Sequence, residues 1–288
     1  MAAPIGPTVR RMQLGHELQQ LRRQAGFTNL KEVVDGLGFS DAQLRRVENG
    51  ESAFRKQSDL VAALERYGVT DQDDVAHFTE LHRQSLNRGW WSTYSRTMSS
   101  GMKIYVGLED GATNMRAWQP SVIFGLLQTE NYARELFRTH KPIDELTTEQ
   151  VERGVELRME RREILTRENP VTARFILDEA ALRHVVGGSE VMREQYRELI
   201  KMSELDNVSL HVLPLSKPAY RCAFDFTVLD FGAGLPTAVQ MDLIDGGVNI
   251  TDKTTEVWAF SRRFDALRDG ALPPEETPKF LEQLAREI

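Results

Sequence analysis

The spacing of apolar positions divides the chain into a run of short helices and then a region where helices and strands mix. From Val9 to Ala25, Leu14, Leu18 and Leu21 recur at helical spacing until Gly26 ends the pattern. Leu30, Val33, Val34 and Leu37 predict a second helix over Leu30–Gly36. The break at Gly36-Leu37-Gly38-Phe39 supplies the backbone freedom of a sharp corner. Ser40 then reads as the cap of a third helix, Asp41 suits its positive end, and Asn49-Gly50 closes it. Leu44 and Val47 point inward, which leaves Asp41, Gln43, Arg45 and Arg46 facing out. Gln57–Tyr67 predicts a fourth helix burying Leu60, Val61 and Leu64. A fifth starts near Thr70-Asp71 and carries Val75, Phe78 and Leu81 towards Leu86.

The pattern changes after Asn87-Arg88-Gly89. Trp90-Trp91 read as large anchors for a core or interface, and Thr97–Gly101, TMSSG, is the most linker-like stretch. The expected division is therefore 1–86, a connecting segment 87–101, and a second domain over 102–288. In that domain Leu108 to Trp118 reads as a strand or helix edge, and Thr129 caps a helix burying Tyr132, Ala133 and Leu136. Thr147 and Gln150 form a capping box for a helix reaching about Arg167, with Val151, Val155 and Met159 inward. Strands are expected over Val171–Leu177, over Val208–Val212 until Pro214, and over Phe224–Phe231 and Thr237–Ile244, joined by GAGLP. Asp178–Val186 reads as a short helix, and Ser189 as the cap of one burying Met192, Tyr196, Leu199 and Ile200. Two helices finish the chain, one with Val257, Phe260, Phe264 and Leu267, the other capped by Thr277 with Pro278 behind it. The fold class is a mainly α N-terminal five-helix bundle built on a helix-turn-helix, plus an α+β C-terminal domain with a small mixed or antiparallel sheet flanked by helices.

Composition narrows the setting. A chain of 288 residues fits two domains. No run of about 18 apolar residues offers a membrane span, and the first residues lack the apolar stretch of a signal peptide. Cys222 is the single cysteine, so no intramolecular disulfide can form, and a reducing cytoplasm is the expected location. The net charge of −7 argues by itself against nucleic acid, but residues 1–70 hold ten Lys/Arg and eight Asp/Glu, so the acid excess lies in the remainder.

A short helix with outward Gln and Arg fits a major groove, where Arg can bond guanine O6 and N7 and Gln adenine N6 and N7. Asp41 could accept only from a base such as cytosine N4. Asn29 opens the second helix, whose end can donate backbone N–H to a phosphate, and Arg55 and Lys56 follow in an exposed loop. The plainer reading is a solvated amphipathic pair with a basic loop. Arg153, Arg158, Arg161 and Arg162 alternate with glutamates three or four apart, the pattern of a solvated helix with local ion pairs rather than a second nucleic-acid surface. For catalysis, Asp178, Glu179 and His184 share a short helix, with His211 and Asp225 elsewhere. No HExxH, paired Cys/His spacing, G-x-S-x-G or phosphate loop occurs, Glu179 and His184 are five apart, and His211 reads as a surface or interface group. No cofactor, metal or enzymatic role is expected, and a ligand-sensing pocket between sheet and helices is left open.

Residues Leu14–Tyr67 resemble the lambda-repressor-type (XRE) helix-turn-helix domain through LGHELQQLRRQAGF, the GLGFS turn and LRRVENG. Leu30 stands where that family has Gln, and Val34 where it has a small Ala. GLLQTENYAR resembles the GLLQT-x-x-YAR signature of the C-terminal domain on a group of actinobacterial helix-turn-helix regulators, with Ile123-Phe124 in place of their Val-Pro. The likeness continues through ERGVELRMERREIL, LDEAALRHVVGG, NVSLHVLPL and FDFTVLDF, nearly the whole chain. It implies a transcription regulator, commonly a homodimer, on double-stranded operator DNA with half-sites about 34 Å apart. The residues expected on DNA are Asn29, Ser40, Asp41, Gln43, Arg45, Arg46, Arg55 and Lys56, and the resemblance places the last two where related repressors grip the backbone. Many members are encoded beside a small partner protein in an antitoxin–toxin-like pairing. An antitoxin-like protein with autoregulatory DNA binding is therefore the alternative, and an enzyme with a metal or hydrolytic site the third reading. The resemblance leaves room for an unidentified small-molecule effector.

Overall fold

Leu14, Leu18, Leu44, Leu60 and Leu64, each at most 1% exposed, come from three different helices and share one core. They centre the N-terminal unit of a computed structural model that describes residues 6–232, 234–243 and 247–288. That unit reaches to Ser92, and the other takes Thr93–Gly232 and Pro236–Ile288. Its helices are α1 (Pro7–Gln24), α2 (Leu30–Val34), α3 (Asp41–Glu48), α4 (Gln57–Arg66) and α5 (Gln72–Ser85). Asp71 opens α5 by accepting from the N–H groups of Asp73 and Asp74, and α5 lies along α1, closing the bundle. Phe39 of the turn meets Phe54 edge-on at 5.0 Å, and buried His82 donates through Nε2 to the Phe54 carbonyl at 2.8 Å.

Two expectations are corrected here. α2 ends at Val34 and not at Gly36, because Asp35 leaves helical ψ (120°) and Gly36 takes φ +75°. On α4 the inward stripe is Leu60, Ala63 and Leu64, while Val61 is only half-buried, turned off that stripe by its place one residue after Leu60.

The C-terminal unit runs α6 (Ser100–Gly111), β1 (Asn114–Gln119), α7 (Glu130–His140), α8 (Thr148–Arg161), β2 (Thr172–Asp178), α9 (Glu179–Arg183), α10 (Ser189–Ser203), β3 (Val208–Leu213), β4 (Phe226–Asp230), β5 (Ala238–Asp242), β6 (Val248–Thr251), α11 (Thr254–Gly270) and α12 (Thr277–Glu287). Its six-stranded sheet has the order β3-β2-β1-β4-β5-β6. β1, β2 and β3 are parallel and joined by helical crossovers, whereas β4, β5 and β6 continue antiparallel from the other side of β1. Trp118, Ile176, Phe226 and Val228 pack under Phe260, Phe264 and Leu267 of α11. The sheet is thus mixed. β6, VNIT, was not expected from the pattern; Ala233 and Ile244, on which the expected GAGLP turn and the strand after it partly fall, lie outside the described residues.

Several polar side chains have tasks that local spacing does not reveal. Ser99, in the linker-like run, accepts from the Met102 N–H at 3.2 Å and opens α6, which buries Tyr105, Val106 and Leu108. The capping box of α8 is present, but α8 stops at Arg161 and tightens into a 3-10 turn over Arg162–Leu165. Its arginines are not a solvated series. Arg161 is buried and meets Glu109 of α6 with two bonds of 2.7 and 2.8 Å, Arg158 donates to Gln128 at 2.8 Å, and Arg162 pairs with Glu198. Arg153 and Glu156 form the one local, exposed pair among these four arginines. Met159 and Leu136 are half-buried rather than core. Ser189 is the first residue of α10 and caps nothing, since Gly188 with φ +94° holds the cap position. Thr277 does not cap α12 either, and donates instead to the Leu210 carbonyl at 2.8 Å.

Removing one partner of a buried pair strands a charge. Glu109→Ala should therefore cost about 3–5 kcal/mol, read as a lower urea midpoint for the C-terminal unit of the full chain. Glu109→Leu combined with Arg161→Met should recover most of that loss, and a midpoint unchanged by Glu109→Ala would contradict the packing described.

Candidate nucleic-acid interface

α3 is seated by its inner stripe. Leu44, Val47 and Glu48 are buried at helical spacing, and Ser40 accepts from the Gln43 N–H at 3.2 Å to start the helix. Glu48 is the unexpected member. Its carboxylate receives Arg22 Nε at 2.8 Å and Nη2 at 3.0 Å, and Tyr67 donates to it at 3.3 Å. Arg22 Nη1 also donates to the Phe27 carbonyl at 2.8 Å, so one guanidinium ties α1, the loop after it and α3 together. The bond to Glu48 raises the Arg22 pKa, and burial, then Glu48, raises the Tyr67 hydroxyl. The sequence signal for this role is position: a glutamate on the stripe of Leu44 and Val47 cannot face water.

Gly15 lets the helices close. A Cβ there would sit 2.5 Å from the Val47 carbonyl oxygen and 2.7 Å from that of Glu48. The outward stripe that results is Ala42, Arg45, Arg46 and Asn49, all exposed. Arg45 and Arg46 are thus where the sequence put them. Asp41 and Gln43, also expected to face out, are half-buried at its flanks, and Ala42 and Asn49 take the outer positions, because i, i+3, i+4 and i+7 share a face. Arg46 reaches Glu51 only at 3.7 Å with 64% of its side chain exposed, a pair worth about 0–1 kcal/mol that leaves the guanidinium available.

Asn29 caps α2 by accepting from the Lys31 N–H at 3.0 Å, and Arg66 of α4 donates to the Asp35 carbonyl at 2.5 Å, pinning the turn. Arg55 and Lys56 are exposed before α4, with the Lys56 backbone at its cap position. Asn29, Ser40, Arg45, Arg46, Arg55 and Lys56 are all exposed on the one unit.

The side chains weighed for catalysis are dispersed. Asp178 caps α9 through the Ala180 N–H and accepts from Arg221, and Glu179 accepts from Arg183 and the Leu215 N–H. His184 is exposed at the end of α9. His211 is not a surface group, as the chain from Leu272 onward covers it: Nδ1 donates to the Leu272 carbonyl at 3.0 Å, and burial lowers its pKa. Burial, and then neighbouring Asp242, push the Asp225 carboxyl up to about 6.

A family model described as a helix-turn-helix domain matches residues 13–78. A second, described as a domain of unknown function (DUF5753), matches residues 102–283, more than half of the chain. No curated protein and no solved structure matches. The N-terminal unit is accordingly a helix-turn-helix of the DNA-binding kind, and no helix among the described residues is long and apolar enough to cross a membrane.

Gly15→Ala should force α3 away from α1 and cost about 1–3 kcal/mol, measured as a lower thermal midpoint for the N-terminal unit; an unshifted midpoint would show that the contact is slack. Asp225 has a folded pKa above its unfolded one, so its contribution is complete below about pH 4 and lost as pH rises through about 6. The C-terminal unit should therefore lose stability between about pH 4 and 6, and Asp225→Asn should flatten that slope in urea titrations.

Proposed function

The chain belongs to the family defined by the domain of unknown function (DUF5753), and we propose that it is a sequence-specific transcriptional regulator that binds operator DNA as a homodimer. The exposed stripe of α3, turned outward by the buried Glu48–Arg22 bond behind it, is the observation that carries this reading. Arg45 and Arg46 would donate to guanine edges, with Gln43 and Asp41 at the flank reading adenine and cytosine. Asn29, Ser40, Arg55 and Lys56 would hold phosphates. The chemistry allows it: Asn29 spends only its carbonyl oxygen on Lys31, and the Ser40 oxygen, although it accepts from Gln43, keeps its hydroxyl proton to give. The C-terminal unit would be regulatory rather than catalytic, since Asp178, Glu179 and His211 are each engaged in hydrogen bonds that hold the fold.

One surface favours a second reading, in which that unit captures a small partner protein. Trp258 on α11 is 61% exposed with Arg262 stacked on it at 4.8 Å, beside Tyr220 and Arg263. Exposed Trp, Tyr and Arg together are the residues that most often anchor interfaces.

Binding to the DNA upstream of its own gene should exceed binding to scrambled DNA in fluorescence anisotropy at two salt concentrations. Arg46→Ala should cost about 1–3 kcal/mol and relax one base position, whereas Lys56→Ala should weaken all sequences alike and lower the salt slope by about 1. Equal losses on every sequence for both variants would refute these roles. If the partner reading holds, the small protein encoded beside it should co-purify with the wild type and not with Trp258→Ala; no complex with the wild type would remove it.

A further inference from the structure

We propose that the end of the C-terminal sheet left uncovered by α11 is a binding site for a small oxyanion, a carboxylate or a phosphate ester. Strand register places Arg116 of β1, Arg174 of β2 and Ser209 of β3 side by side on one face. One step further along that face, Trp118 and Ile176 lie in the core beneath α11. At Arg116, Arg174 and Ser209 that cover is missing, and each of the three is half-buried while its strand neighbours Ala117, Phe175 and Leu210 are fully enclosed. The result is a cleft of about 470 Å³ in which Asn114, Thr172 and Asp230 complete the walls.

Its charge is unbalanced. Arg116 reaches Asp230 at 3.4 Å, and Asp230 also accepts from Thr237 at 2.6 Å. The Arg174 guanidinium, among the described residues, has neither an ion pair nor a hydrogen bond. Neighbouring strands are about 4.8 Å apart, so two arginines stand abreast, and the one carboxylate paired with either, Asp230 on β4, is bonded to Arg116 alone. An oxyanion placed over Arg174 and Arg116 would accept from both forks, the arrangement in which arginine binds carboxylate and phosphate best. The Thr172 hydroxyl and the Asn114 amide supply neutral donors beside it. Ser209 does not, because its hydroxyl is 3.0 Å from His211 Nε2, which must accept while Nδ1 donates to Leu272. Asp206, exposed on the rim, and Asp230 would repel a polyanionic backbone yet accept from a hydroxyl or ammonium on a small molecule, so the cleft fits a small ligand rather than nucleic acid. Its volume lies within the range of small-molecule sites, about 300–1,000 Å³.

A role for this ligand as effector rests on the regulatory reading above, but occupancy of the cleft does not, so the two are tested separately. Inorganic phosphate and citrate are titrated into the full-length protein at constant ionic strength while the melting of the C-terminal unit is followed. A saturable rise with at least one of them is expected, phosphate alone marking a phosphate ester and citrate alone a carboxylate as the ligand class. Arg174→Gln should raise the half-saturating concentration about tenfold or more, the loss of one charge-assisted pair, while Arg153→Gln, on exposed α8, should titrate as the wild type does. Thr172→Val, which keeps both arginines, provides the same comparison with a smaller shift should Arg174→Gln fold poorly. The absence of a saturable rise with either anion, or equal rises in the wild type and Arg174→Gln, would overturn the site. The anisotropy titration is then repeated with the saturating anion: changed DNA affinity supports the effector role, and unchanged affinity with a saturated cleft removes that role while the site stands.

Discussion

A guanidinium taken out of water must have its donors matched, and this requirement organises both units. Arg22 satisfies it by gathering the Glu48 carboxylate and the Phe27 carbonyl, which joins the end of α1 to the end of α3. A hydrophobic pair in that place could hold the two helices equally firmly. It would not fix the rotation of α3 in the same way, because only one rotation presents two carboxylate oxygens to Nε and Nη2. The direction in which Arg45 and Arg46 point is therefore set by residues on the far side of the helix. Arg161 and Glu109 do the same for α8 and α6.

The most recognisable stretch of the C-terminal unit is architectural. In GLLQT, Gln128 donates to the Ile123 carbonyl and accepts from Arg158, closing the turn from within. Gln195, fully buried on α10, donates to the Leu127 carbonyl and accepts from the Thr129 N–H. Two amides thus satisfy the Ile123 and Leu127 carbonyls and the Thr129 N–H of a buried turn, a task few other side chains could perform. A signature of this kind identifies the fold without naming a ligand. The groups free to meet one, Arg174 above all, lie outside it.

The units also differ in how charge is used. In the helix-turn-helix, the buried charges cancel and the exposed ones on α3 are the arginines. In the C-terminal unit most of the arginines of α8 are drawn inward or across to other elements, so a helix that looks basic offers little positive surface. Counting charges along the chain cannot separate these cases; only their partners can.

The chain by itself determined what depends on neighbours within one helical turn or along one strand. The caps at Asn29, Ser40, Asp71, Thr129 and Thr147, the inward pairs such as Leu44 and Val47, and the alternation of Val208, Leu210 and Val212 could all be read directly, as could the outward arginines of α3. The tertiary structure decided what depends on residues far apart. Glu48 and Arg22 are separated by 26 positions and Arg161 and Glu109 by 52, so nothing local named the partner that each of these side chains would meet. His211 looked exposed because it alternates with apolar residues, and it is the returning chain at Leu272 that covers it. The abreast placement of Arg116, Arg174 and Ser209 likewise exists only once three strands have found their register. A polar residue carries no local label telling whether water or a distant partner will meet it, and that meeting is settled by the packing of the whole domain.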